Sequence, residues 1–233
     1  MSLLPSGTDG LAAQIDQIAA EVRRRFAAKH SAREQALPLA REAIRHSANA
    51  IRAIHRGDKA VATDQLAQAQ RKVQSACDAL RAHPDVLFAG FIHDAQKEVA
   101  EASLTIALIT RQPLPSPEDL NVEDAAYLNG LGEAVGELRR NLLDRLRDGD
   151  ITGCERLLTV MDDLYAVLVT IDYPDAITGG LRRTTDVTRG ILEKTRGDLT
   201  VAARQYQLER RMAEYQAAVA ATGASAADAS HPA

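Results

Sequence analysis

The sequence predicts an all-α fold, a single domain of about six to seven long antiparallel helices, and three observations support this prediction. Only 3% of the 233 residues are aromatic and none is Trp, whereas β-sandwiches and barrels depend on aromatic and β-branched residues. Hydrophobic residues still make up 45%, which excludes a disordered chain. Apolar residues also recur at helical spacing along most of the chain, as they do on the buried face of a helix.

The first predicted helix covers residues 10–56 and is the longest of the set. Its apolar stripe begins with Leu11, Ile15, Ile18, Val22 and Phe26. Pro38 predicts a kink or a break near residues 29–38, because proline removes a helical hydrogen bond. Gly57 ends the helix, and Asp58 is expected to cap the next one.

The remaining helices are separated by clear helix breakers. They are predicted at residues 59–82, 86–110, 123–147, 153–171 and 181–217. The breakers between them are His83–Pro84, a Pro-rich connection at 112–122, Gly149 and Tyr173–Pro174. Thr152 and Glu155 form a candidate capping box for the helix that starts at 153.

One domain at 10–219 is therefore predicted, with a flexible N-terminus at 1–9 and a disordered, Ala-rich tail at 220–233. No segment reads as a signal peptide or a membrane span, so we expect a soluble cytoplasmic protein without a membrane partner. Cys77 and Cys154 match no metal or redox spacing, and we expect both to be buried as small hydrophobes in a reducing compartment.

Four carboxylates on two consecutive helices form the most informative pattern. Glu98 and Glu101 are three residues apart, and Glu133 and Glu137 are four apart, so each pair shares one helical face. If the two faces meet, the carboxylates surround one point, and such a ligand set suits Mg²⁺ or Mn²⁺. The alternative is that both pairs are solvated, as most helical glutamate pairs are. The Glu-x-x-His pairs of ferritin-type di-iron sites are missing.

The charge balance adds little by itself. The net charge is −4, so no overall basic field would attract nucleic acid. Arg139 and Arg140 form a local exception, because they follow Glu137 closely and a cation beside a metal-bound carboxylate can hold a phosphate.

Four segments stand out in order along the chain, at residues 33–58, 98–103, 122–150 and 162–199. Together they resemble the translin family, and more closely its translin-associated factor X branch in a short, prokaryotic-type form. The second segment, EVAEAS, is similar to that branch's Glu-Tyr-Val-Glu-Ala-Val, and the third contains a Gly-Glu-Leu that the branch also has.

This resemblance implies an all-α subunit of a hollow oligomer, typically an octamer, with Mg²⁺-dependent endoribonuclease activity on RNA inside the cavity. Glu98 and Glu101 match the catalytic Glu-x-x-Glu of the family, and Glu137 matches its Gly-Glu-Leu. Glu133 stands where the active branch has Asp, which is one methylene shorter.

Two arginines complete the set of residues that the resemblance singles out. Arg41 and Arg140 match recurrent arginines of the family, which implies contacts to the phosphates of a nucleic acid. The basic stretches of the eukaryotic translin subunit have no counterpart in this sequence. The scarcity of aromatic residues also indicates that RNA would be held by its phosphates more than by base stacking.

Two other functions remain open at this point. The first is a non-catalytic assembly that binds single-stranded RNA or DNA, as the translin branch does. The second is an all-α nucleoside triphosphate pyrophosphohydrolase, although its second acidic pair ends Glu-x-x-Asp and here the pair is Glu-x-x-x-Glu. The segment 164–169 is apolar all round, which predicts burial in a core or against another subunit.

Overall fold

The structure is a computed structural model that describes the backbone of residues 7–228 and the side chains of residues 10–220. Within this range it contains nine helices and no strand, so the all-α prediction is confirmed. The helices are α1 (Gly7–His55), α2 (Lys59–Leu80), α3 (Pro84–Leu87), α4 (Gly90–Thr110), α5 (Pro117–Leu120), α6 (Asp124–Arg147), α7 (Ile151–Val169), α8 (Asp175–Thr178) and α9 (Leu181–Asp228). They form two compact units, Met1–Gly130 and Leu131–Ala233.

The first unit is built on α1, α2 and α4, which pack against one another. Small residues dominate its core: Ala36, Ala40 and Ala43 follow one face of α1 at four- and three-residue steps and are buried. Alanine lets helix axes approach closely. In the cluster around these alanines, the larger buried residues come from α2 and α4. These larger residues are Val73, Leu80, Ile92 and Val99.

The second unit contains the rest of α6 together with α7, α8 and α9, and α7 packs against α9. Leu138 and Leu142 of α6 are fully buried. Cys154 is also fully buried and donates a hydrogen bond of 3.3 Å to the carbonyl of Leu142. Burial raises the pKa of this thiol to about 11, so it stays protonated at neutral pH.

α1 is a single helix of 49 residues with Pro38 inside it, so the sequence-based alternative of a break near 29–38 is not realised. The predicted end at Gly57 is confirmed, because Gly57 has a φ of 80°. The predicted cap is confirmed as well, since the Asp58 carboxylate accepts a 3.1 Å hydrogen bond from the amide of Val61.

The start of α7 differs from the prediction, which placed a capping box at Thr152 and Glu155. The N-cap is Asp150, whose carboxylate accepts a 2.8 Å hydrogen bond from the amide of Gly153. Aspartate is one of the strongest N-cap residues, so the helix begins two residues before the predicted position. Glu155 therefore lies inside the helix and not at its first turn.

α9 continues beyond the predicted end at 217 and reaches Asp228. Residues 220–228, which the sequence places in a disordered tail, thus have helical backbone. Alanine is the best helix former, and the alanines of this segment explain the extension. The rest of the predicted tail, 229–233, lies outside the described residues, as do residues 1–6 of the predicted flexible N-terminus.

Large apolar side chains are exposed on several of the described helices, including α9, and two groups of them bear on the sequence predictions. The first lies on α1 before Ala36 and is called here the α1 stripe; its members are Leu11, Ile15, Ile18 and Phe26, which are 56–65% exposed. The second lies on α7, where Val167 and Val169 are exposed while Leu164 and Leu168 are buried. The segment 164–169 is therefore buried on one side only within this chain. None of the helices described is long and apolar enough to cross a membrane.

Candidate functional site

α4 carries two glutamates that are flanked by buried apolar residues. Val99, Ala100 and Ala102, which alternate with them, are all buried. Glu98 and Glu101 are themselves half-buried, at the spacing of three residues that puts them on one face. Half-burial of two carboxylates on an apolar helix is costly unless a partner compensates the charge.

α6 meets α4 at Gly130, and the two backbones come unusually close there. A Cβ atom built on Gly130 would lie 2.7 Å from the carbonyl oxygen of Lys97 and 2.8 Å from the amide nitrogen of Glu101. Only glycine fits at such a distance. Glu133 follows three residues later on the same helix, and residues three apart share a face.

One carboxylate oxygen from each of Glu98, Glu101 and Glu133 lies within 4.8 Å of the other two, and all three residues are half-buried. Oxygen atoms that share one Mg²⁺ at about 2.1 Å can be at most about 4.2 Å apart, so the three oxygens are spaced nearly as a common ion requires. Like charges at this distance repel each other by about 1 kcal/mol even in water-like surroundings, and a divalent cation would remove that repulsion. The donor set thus fits a hard divalent cation.

Glu137, the fourth predicted ligand, is not among the three carboxylates of this group. It lies one turn further along α6, where its Oε2 atom is 3.7 Å from the Nη1 atom of Arg140. Its side chain is 24% exposed, against 53% for Arg140. The sequence-predicted set therefore divides into a group of three and a glutamate beside an exposed guanidinium.

Two neighbouring arginines on α6 have different surroundings. Arg139 is only 16% exposed and donates hydrogen bonds to Thr195 Oγ1 at 2.9 Å and to Asp198 Oδ2 at 2.7 Å. It is therefore engaged in holding α6 against α9. Arg140 is available at the surface, and so is Arg41, which is exposed on α1.

Both cysteines are free thiols, as the sequence predicts. Cys154 is buried, but Cys77 is only partly buried, so the expectation of full burial is wrong for Cys77. Cys77 lies in a cavity of about 220 Å³, also lined by His93, Gln96 and Glu123. Burial raises the pKa of the Cys77 thiol, and the negative charges of Asp78 and Glu123 raise it further. The thiol is therefore protonated and a poor nucleophile.

Sequence reasoning did not single out Gly130 or the partners of Arg139. A signal for Gly130 existed, because glycine is a poor helix former and an interior glycine in a predicted helix usually has a packing reason. No comparable signal marks Thr195 and Asp198, since nothing in the sequence shows which α9 residues face α6.

The all-α fold and the three grouped glutamates place this protein in the class of helical proteins whose carboxylates can bind a divalent cation. No family model matches the chain. The chain is 33% identical over 193 residues to the uncharacterized protein MJ0175 of Methanocaldococcus jannaschii, an alignment covering 82% of this chain and 85% of that protein.

Solved structures extend this comparison. The chain is 36% identical to archaeal AfC3PO in a complex with duplex RNA, covering 80% of this chain and 97% of that one with a TM-score of 0.75. A second structure, the crystal structure of AfC3PO, gives 36% identity over the same shares of the two chains and a TM-score of 0.74. Apo-NeC3PO, from Nematostella, shares the fold with a TM-score of 0.68 at 21% identity, covering 87% of this chain and 100% of that one. C3PO is a translin/TRAX complex, and the chain belongs to the translin family.

Proposed function

We propose that this protein is a metal-dependent endoribonuclease of the translin-associated factor X type, with Mg²⁺, or Mn²⁺ in its place, as the cofactor. The observation that carries the proposal is the group formed by Glu98, Glu101 and Glu133, whose carboxylate oxygens lie within 4.8 Å of one another. Family membership supports the translin-type functions and gives no support to the pyrophosphohydrolase alternative.

In this proposal the three grouped glutamates hold the ion and Glu137 completes the ligand set from the next turn of α6. Mg²⁺ held by these residues would supply an activated water and charge stabilisation at the phosphate. The exposed Arg140 beside Glu137 binds the phosphate that is cleaved, since a guanidinium pairs well with a phosphate group. Arg41 contributes a second phosphate contact from α1. Each residue thus binds or orients one group of the substrate.

RNA is the proposed substrate class. A relative that is 36% identical was solved in a complex with duplex RNA, which supports RNA binding by this chain too. We propose that single-stranded RNA is the form that is cleaved. Because that relative binds duplex RNA, duplex or structured RNA is the first alternative substrate to test. Single-stranded DNA is a further probe.

We also propose that the protein self-associates into a hollow oligomer, an octamer in the typical family form. The α1 stripe supports self-association, because its four large apolar side chains are more than half exposed. A contiguous apolar surface of this kind marks an interaction site in a soluble protein.

The test compares cleavage of labelled single-stranded RNA, duplex RNA and single-stranded DNA by the parent and by Glu101→Gln and Glu137→Gln, with Mg²⁺ and with EDTA. Glutamine keeps the shape of the side chain and removes its charge. We expect each variant to lose at least about 100-fold in Mg²⁺-dependent cleavage while keeping its oligomeric mass. Glu193→Gln, at an exposed position of α9, is the matched control and should cleave like the parent.

The alternative is a non-catalytic RNA- or DNA-binding assembly, which the family also contains. Glu133 favours this alternative to the extent that it replaces the Asp of the active branch and changes the reach of one ligand. Binding of RNA by the parent without any Mg²⁺-dependent product would establish the alternative, and full cleavage by both glutamine variants would exclude the proposed ligand set.

A further inference from the structure

α6 contains three glycines in its interior, and they differ sharply in what surrounds them. A Cβ on Gly130 would approach backbone atoms, whereas a Cβ on Gly132 would approach the methyl carbon of Thr184 at 2.4 Å. A Cβ on Gly136 would meet only Ile191 Cδ1 at 3.8 Å, an ordinary van der Waals contact. Gly130 alone of these three requires glycine because of neighbouring backbone.

The backbone atoms that crowd Gly130 belong to the segment of α4 that carries the glutamates. Measured from a Cβ built on Gly130, the carbonyl oxygen of Lys97 is 2.7 Å away and the amide nitrogen of Glu101 is 2.8 Å away. The Cβ of Ala100 lies 2.9 Å from the same point. Lys97 precedes Glu98 directly, so the contact flanks both α4 ligands. Helix backbone cannot rotate away from a clash as the end of a side chain can.

We propose that Gly130 is a positioning residue for the metal site: its missing side chain sets the distance between α4 and α6, and hence between Glu133 and the pair Glu98 and Glu101. This inference rests on the proposed function. Gly130 contacts no substrate and no ion itself. It acts through the separation of the two helices. A wider separation could not be bridged by longer ligands, because glutamate is already the longest carboxylate side chain.

Alanine at position 130 would force the helices apart. Carbon needs about 3.4 Å from a backbone oxygen, so the Lys97 contact alone requires a movement of about 0.7 Å. Metal–ligand distances tolerate only about 0.2 Å, and a site misplaced by 1 Å can lose about 100-fold in function. The predicted consequence is weak metal binding by a chain that still folds and assembles.

The experiment measures Mn²⁺ binding to the full-length protein by the electron paramagnetic resonance signal of free Mn²⁺, without RNA. Gly130→Ala should raise the Kd for Mn²⁺ at least tenfold and raise the Mg²⁺ concentration needed for half-maximal cleavage in parallel. Gly136→Ala, six residues away on the same helix, and Gly190→Ala, with nothing within 4 Å of its built Cβ, are matched controls and should bind like the parent. Oligomeric mass and Tm are recorded for all variants.

If Gly130→Ala does not fold, the double variant Ala100→Gly/Gly130→Ala replaces it, because removal of the Ala100 Cβ relieves one of the three close approaches. A folded variant that binds Mn²⁺ as tightly as the parent overturns the positioning role and leaves the proposed function intact. A parent that binds no Mn²⁺ and cleaves no RNA overturns both. Weakened binding in Gly136→Ala to the same degree would show a general effect of helix substitution and would also overturn the positioning role.

Discussion

The first half of α1 and the middle of α4 reverse the usual relation between polarity and burial. On α1, the apolar side chains of the α1 stripe are more than half exposed. On α4, Glu98 and Glu101 are half-buried among buried neighbours. Exposed apolar side chains mark a surface that a second subunit can cover, and the half-buried glutamates are the ones that would hold the proposed cation.

The difference between the two helices shows what periodicity can and cannot establish. The spacing of Ile15 and Ile18 correctly indicates a helix with an apolar face, but spacing says nothing about what covers that face. The spacing of Glu98 and Glu101 correctly indicates a shared face, but a solvated pair would look the same in the sequence. In both cases the burial pattern supplies the information that the sequence lacks.

The largest effect is expected from placing charge on the α1 stripe. In Ile15→Asp/Ile18→Asp, two carboxylates replace apolar side chains that are 56% and 58% exposed, so the chain should fold but fail to associate. We expect the oligomeric mass from light scattering to fall at least by half. Gln14→Asp/Gln17→Asp adds the same charge at exposed polar positions of the same helix and should keep the parent mass. Parent mass in both double variants would show that the stripe is not an interface.

The next effect concerns the stability of the unit that holds α6. Arg139→Ala removes two hydrogen bonds, to Thr195 and Asp198, from a side chain that is 16% exposed. We expect the free energy of unfolding, measured by urea denaturation, to fall by about 2 kcal/mol, less than for a fully buried pair because Asp198 is 43% exposed. Arg139→Lys should recover only part of the loss, since lysine cannot make both hydrogen bonds in the same geometry. Unchanged stability would contradict the structural role.

A smaller effect is expected from the exposed arginines, which sharpens the contrast with Arg139. Arg140→Ala should change the free energy of unfolding by less than about 0.5 kcal/mol. It should weaken RNA binding and lower the slope of log affinity against log salt by about 0.7, the value for one phosphate contact on a single strand. Arg41→Ala should do the same. Binding with an unchanged salt slope in both variants would remove them from the RNA contact surface.

The smallest effect is expected from Asp150, a carboxylate that caps α7 and takes no part in the candidate metal site. The hydrogen bond from the Gly153 amide, and then the Arg145 guanidinium 3.0 Å away, lower the pKa of Asp150. The pKa in the folded state is thus below that of the unfolded chain, so the stabilisation is present above about pH 4 and is lost as the pH falls through the folded pKa.

Asn keeps an oxygen that can accept from the Gly153 amide and removes only the charge, so Asp150→Asn should lower Tm at pH 7 by about 1–3 °C, and the difference from the parent should shrink below about pH 4. Asp144→Asn is the matched control, because Asp144 is exposed on α6 and pairs only with Arg147 at 3.7 Å. A difference in Tm that does not change with pH would assign the effect to side-chain shape and not to charge.

Much of the fold could be predicted because helix propensity, periodicity and helix breakers act locally. The caps show the limit: Asp58 was predicted, but Asp150 was missed because Thr152 and Glu155 offered a competing signal nearby. Arg139 and Arg140 show another limit, since adjacent residues on a helix point about 100° apart and only the packing of α9 decides which one is buried. The sequence placed four glutamates together and the structure groups three of them, Glu98, Glu101 and Glu133. The close approach of α4 at Gly130 depends on a backbone contact that no spacing reveals.

The unbroken course of α1 through Pro38 has a consequence for how the helix opens. Proline lacks an amide hydrogen, so the carbonyl of Glu34 has no helical donor four residues ahead, and buried residues begin at Ala36. Before this point the described part of α1 has no buried residue and meets the rest of its unit through surface contacts such as the ion pair of Lys29 with Asp85, whereas the part after it is also held by the core. In amide hydrogen exchange α1 is therefore two segments with a boundary near Pro38, the first opening by local fraying and the second only when its unit unfolds.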